Sequence, residues 1–200
     1  MKNPYKFPRF KAPLHIVAAN DNHKPHGPKG PRPVSKLTDA ELANLEANFV
    51  AAGVVASQRY TLKDVRRERL RRSLKGLDGR EVVGHIMALA AASHDYLTTY
   101  GALHACLWVN EPFNGHHSMR MTMEALAAAI LHCVENGLPC ITTLFVHAKT
   151  RSLSDRAARN IYETLKGLGV EVGSSVEDYV LEQTLAAMDV VAQSTMATAA

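Results

Sequence analysis

From Leu37 onward apolar residues return at helical spacing. Leu42, Leu45, Phe49 and Val50 recur at i, i+3, i+7 and i+8, a pattern that predicts an α-helix with one buried side. Thr38 precedes this stripe with Glu41 three residues on, the arrangement of a capping box, and Gly53 closes the segment. A second helix, about Leu62 to Lys75, opens at Tyr60 or Thr61 and packs through Leu62, Val65, Leu70 and Leu74. After the break Gly76-Leu77-Asp78-Gly79, the segment from Arg80 to His94 carries Val82, Val83, Ile86, Leu89 and Ala90. It predicts a buried helix, with His85 as a hydrogen-bonded core histidine.

The stretch 97–150 predicts a short helix from Thr98-Thr99-Tyr100-Gly101 through Trp108 and a polar loop over 110–117. A long Ala-rich helix follows, capped by Ser118 and running to about Glu135, and then a strand from Cys140 to His147. Ser152-Leu153-Ser154-Asp155 offers caps for a helix to about Lys166. Val170-Glu171-Val172 reads as a short strand, and Ser174-Ser175 begins a last amphipathic helix through Val191, with residues 194–200 expected to fray. Two successive helices followed by a strand is the order of a winged helix-turn-helix. The expected fold class is therefore mainly α with a small β element, a winged helix-turn-helix-like core with extra helices.

Composition adds an arm and a charge split. Residues 1–36 hold seven of the nine prolines and eight Lys/Arg, and this segment predicts a disordered basic arm in which His15, His23 and His26 form no metal site. The expected organisation is thus the arm, 1–36, and one helical domain, 37–195, centred on 97–150. Residues 1–75 carry sixteen Lys/Arg against six Asp/Glu, whereas residues 76–200 carry seven against thirteen. A basic N-terminal half suits a polyanionic partner. With no run of about 18 apolar residues, no apolar signal-peptide core and three unpaired-looking cysteines, a cytoplasmic chain without membrane contact is expected.

Candidate chemistry follows from these positions. The second helix holds Arg66, Arg67, Arg71 and Arg72, which with the arm would contact phosphates while Leu62, Val65, Leu70 and Leu74 face inward. His116, His117, Lys149 and Arg151 add polar and basic groups around the central stretch. There is no Gly-rich phosphate loop, no GxSxG elbow and no HExxH helix, so neither a cofactor nor a metal is expected. Trp108 and Phe113 read as core residues, and the cysteines as packing groups.

Two motifs carry a resemblance. Thr99-Tyr100-Gly101-Ala102-Leu103, and Asn136-Gly137-Leu138-Pro139 ahead of the expected strand, resemble the winged-helix part of the alkylguanine-DNA alkyltransferases and alkyltransferase-like proteins. The resemblance implies that Tyr100 helps turn a nucleotide out of duplex DNA and that Arg120 fills the gap. The family's reactive Pro-Cys-His-Arg sequence would fall on Thr143-Leu144-Phe145-Val146, so Leu144 stands where the alkyl acceptor would be and that chemistry is excluded.

The leading expectation is a non-enzymatic DNA-binding or transcription-regulating protein. Its contacts would be Arg66, Arg67, Arg71, Arg72, Tyr100, His116, His117, Arg120, Lys149 and Arg151, with a homodimer or protein partner on the acidic C-terminal helix. The alternative takes residues 97–109 as a strand, making a small α/β enzyme for a nucleotide or other anionic substrate, with His117, His147 and Asp155 gathered at the strand ends.

Overall fold

Local side-chain chemistry starts most of the helices. Thr38 and Glu41 form the reciprocal capping box, while Thr61, Asp78, Thr99, Ser154 and Ser175 each accept from a backbone amide in the first turn that follows. The structure, a computed structural model, describes residues 32–74 and 76–199. Seven α-helices follow in order among them: α1 (Asp39–Ala52), α2 (Leu62–Ser73), α3 (Gly79–Ala91), α4 (Tyr100–Leu107), α5 (Gly115–Asn136), α6 (Asp155–Gly167) and α7 (Val176–Ala199). Most of the basic arm, with its three histidines, lies outside the described residues. Its last part, Val34–Lys36, is a 3-10 turn that leads into buried Leu37.

The mainly helical expectation holds, but the small sheet does not form. Cys140 to His147, expected as a strand, is a 3-10 turn at Ile141–Leu144 followed by one extended residue, Phe145. Thr143 donates both its amide and its hydroxyl to the Cys140 carbonyl, and Gln183 of α7 accepts from the Cys140 amide, so the backbone is satisfied without a ladder. Only Thr98 pairs with this segment, donating to the Leu144 carbonyl and accepting from the Val146 amide. Val170–Val172 is likewise not a strand. The run looked strand-like because it is buried on all sides, and burial alone does not specify backbone shape.

The second reading of 97–109 is also corrected: Tyr100–Leu107 is helix α4, because Thr99 caps it and Ala102, Leu103, Ala105 and Leu107 are good helix formers. Without a sheet among the described residues there are no strand ends for an α/β site. Ser118 does not cap α5; the helix starts earlier, at Gly115 behind Asn114, and the Ser118 hydroxyl bonds back to the Asn114 carbonyl from inside the helix. Nor does the C-terminus fray where expected. α7 continues to Ala199, with the Ser194 and Thr195 hydroxyls donating to the Val191 carbonyl.

The core forms around α5, whose small residues let neighbours approach closely. Ala125, Ala129 and Cys133 are buried against Val82, Val83, Ile86 and Ala90 of α3, with Leu103 of α4, Leu144, Phe145 and Val191 of α7 completing the cluster. At the start of α3 only glycine fits, since a Cβ at Gly79 would fall on the Ala128 carbonyl of α5. The α1–α2 pair has its own cluster, Leu37, Leu42, Phe49 and Val65, and reaches α5 through Leu74, Ala128 and Leu131. His85 is half-exposed near Glu81 rather than a core residue; the buried histidine is His104, between the rings of Trp108 and Phe113. No helix of the described residues is long and apolar enough to cross a membrane.

Candidate functional site

α5 and α6 both carry an apolar stripe; the stripes pack together at Ile130, Ile161 and Leu165 but also line an open space. Between them runs a groove of about 630 Å3, walled by Met119, Met123, Leu126 and Ile130 from α5 and by Ala157, Asn160, Ile161 and Thr164 from α6. Thr142 of the buried 3-10 turn also lines it. Further along, Cys133 and Val134 share a second hollow with Leu165. Early residues of α5 therefore face early residues of α6 and later face later, so the helices run in the same general direction.

Residues at three helix starts are in the lining: Tyr100 is the first residue of α4, His116 the second of α5, and Ser154 and Arg156 flank the first residue of α6. Arg156 and His116 have no acidic partner, and the side chains of Tyr100 and Asn160 no hydrogen-bond partner, among the described residues. Burial pushes the Tyr100 hydroxyl up from its ordinary range, so it stays a neutral donor. No Asp or Glu lines the groove. Met119 and Met123 are 40% and 43% exposed, flexible thioethers on a surface that can reshape around a guest.

No family model, characterised protein or solved structure matches this chain. Its site rests on its own geometry.

The loops before α4 and α6 are held by residues whose roles were less apparent in sequence. Arg151 donates to both carboxylate oxygens of Asp95 and to the Leu97 carbonyl, tying the loop before α4 to the loop before α6. Arg151 and Tyr96 both have left-handed backbones, at φ 51° and 54°, conformations that cost about 1–3 kcal/mol each unless their surroundings enforce them. The Arg151 guanidinium, helped by the Ser93 hydroxyl and the Leu97 amide, holds the Asp95 carboxyl well below the usual carboxylate range. A carboxyl lowered in the folded state stabilises above its unfolded pKa, about 4, and loses that contribution as pH falls further. The melting temperature gap between the natural protein and Asp95→Asn is therefore expected to be constant above about pH 5 and to shrink from about pH 4 downward. A gap independent of pH would remove the ion pair from this role.

The arginines of α2 expected to face outward are engaged within the fold. Arg66 donates to Glu46 of α1 and to the Gly167 carbonyl, and Arg67 to the Leu168 carbonyl at 2.9 Å, just past α6. Arg71 bridges Glu68 and Glu135 of α5, while Arg72 bridges Glu68, Asp39 and the Ser35 carbonyl. Of the other expected contacts, Tyr100 and His116 come together at the groove, whereas Arg120 pairs with Glu124 and lies near His117. Lys149 is exposed on the loop before α6.

His117, His147 and Asp155, the residues of the enzyme reading, stand exposed on separate elements with no interaction joining them. Among the described residues no three His, Cys, Asp or Glu side chains are grouped to hold a metal ion. Cys140 is buried and its thiol is pushed up to about 12, so it is no nucleophile at neutral pH. α7 buries Val180, Ala187 and Val191 and leaves Leu181 and Leu185 exposed beside Glu177, Asp178 and Glu182.

Sequence reasoning missed Met119, Met123, Arg156 and Asn160. The signal was present as two stripes, 119, 123, 126, 130 and 157, 161, 164, but only their parallel placement makes a groove of them.

Proposed function

We propose that this chain is a non-enzymatic binding protein whose working site is the groove between α5 and α6. The observation that carries this reading is the groove's make-up: largely apolar walls with a few unpartnered polar side chains, Tyr100, His116, Arg156 and Asn160, among them. Pockets of about 300–1,000 Å3 with apolar walls and a few placed polar groups are typical of sites for small molecules. The test is methyl NMR of Met119 and Met123, assigned with Met→Leu variants, during titration with decanol as an apolar probe. Selective movement of those two methyl signals, abolished when Ala157→Phe fills the groove, is the expected result; signals that do not move would remove the groove as a site.

A nucleic-acid-binding reading has its own support in the exposed cations Lys149, Arg156 and Arg159, on α6 and the loop before it, and in residues 1–31, which hold six Lys/Arg against one Asp. In that reading α4 and α5 take the part of the two helices of a winged helix-turn-helix, Tyr100, His116, His117 and Arg120 meet duplex DNA, and α2 supports the surface from behind. Fluorescence anisotropy with duplex DNA should then show binding that falls steeply with salt and weakens when Lys149, Arg156 and Arg159 become Ala. Binding indifferent to both would exclude it.

A further inference from the structure

We infer that the groove's ligand is a free single-chain amphiphile with an anionic head, of the class of a medium-chain carboxylate. The inference rests on the groove reading and adds the charge and orientation of the guest. Arg156 is the only side chain of fixed charge in the lining, which also includes His116 and Tyr100. No carboxylate lines the groove to oppose a negative head or to attract a positive one. A head at Arg156 gains a charge-assisted hydrogen bond at the start of α6, the positive end of that helix.

The tail then lies against the α5 wall. From Met119 to Ile130 the α5 wall spans 11 residues, roughly 16 Å at the helical rise, and its side chains are apolar throughout. Asn160 and Thr164 of α6 interrupt the opposite wall without adding charge. A compact polar anion such as a nucleotide would leave the exposed Met119 and Met123 uncovered.

The experiment compares decanoate, decanol and decylamine on the full chain by isothermal titration calorimetry, with the Met119 and Met123 methyl signals locating each. Decanoate is expected to bind about tenfold more tightly than decylamine. Arg156→Gln should weaken decanoate about fivefold and leave decanol unchanged; its exposed position keeps the fold intact. Equal binding of all three, or a decanoate affinity indifferent to Arg156→Gln, overturns the anionic assignment while the groove reading survives. If none of the three moves the two methionine methyls, both fail. Protein that co-sediments with anionic vesicles but ignores free decanoate would also overturn it, assigning the cations to a membrane surface instead.

Discussion

Glu68→Ala is expected to lower stability by about 3 kcal/mol, read as a shift of the urea midpoint with an unchanged slope. Glu68 sits in the middle of an Arg-rich helix, yet its side chain is only 10% exposed. It accepts from Arg71 and, at 2.8 Å, from the Arg72 Nε. Each arginine continues outward: Arg71 to Glu135 on α5, Arg72 to Asp39 at the start of α1 and to the Ser35 carbonyl. The carboxylate thus joins three parts of the chain through α2. Arg71 keeps Glu135 and Arg72 keeps Asp39 when Glu68 is removed, so the cost is the loss of two charge-assisted hydrogen bonds at a buried carboxylate, about 1.5–3 kcal/mol each before any relaxation, against under about 1 kcal/mol for an exposed pair. Glu68→Gln, which can still accept one hydrogen bond, should lose less. Lys63→Ala, with no such partners, should change stability by under about 0.5 kcal/mol. A Glu68→Ala loss as small as that of Lys63→Ala would mean the network is only a solvated surface feature.

The same helix explains what could be read in the sequence and what could not. Its start was legible because Thr61 and Asp64 act within three residues, as do Thr38 with Glu41 and Ser154 with Ala157. That its arginines lie off the apolar side was legible from periodicity, but that they are engaged within the fold was not. Glu46, Glu135 and the carbonyls of Gly167 and Leu168 lie 20 to 101 residues away along the chain. Cys140 to His147 failed for a related reason. Ile141, Thr142, Thr143, Leu144 and Phe145 are all buried, and an apolar run surrounded by helices has the same pattern as a central strand. Of the site, Tyr100 stood out as a polar residue at an expected helix start and His116 as one in the polar loop expected before α5. Arg156 did not, because on its own helix it is one more surface cation. Its meaning depends on α5 and α6 lying side by side in the same direction, and no local signal encodes that.

Phe145→Ala should be the other severe substitution, with an expected loss of about 3–5 kcal/mol, a large part of the stability of a domain this size. Phe145 is fully buried in the main cluster, and its ring lies 5.4 Å from that of Tyr100 in the groove lining. Its backbone is the one point where the segment after the 3-10 turn pairs with Thr98, immediately before the cap of α4. Deleting the ring removes apolar area and leaves a cavity beneath the first turn of α4, which the surrounding helices can fill only partly. Phe145→Leu keeps most of the volume and should cost under about 1.5 kcal/mol. It separates packing from position: the leucine variant stays folded, but Tyr100 has lost the aromatic face that sets its ring. Circular dichroism during urea unfolding gives the stability difference. If Phe145→Ala cost no more than Phe145→Leu, the groove lining at Tyr100 would not depend on this contact, and Tyr100 would have to be held by α4 alone.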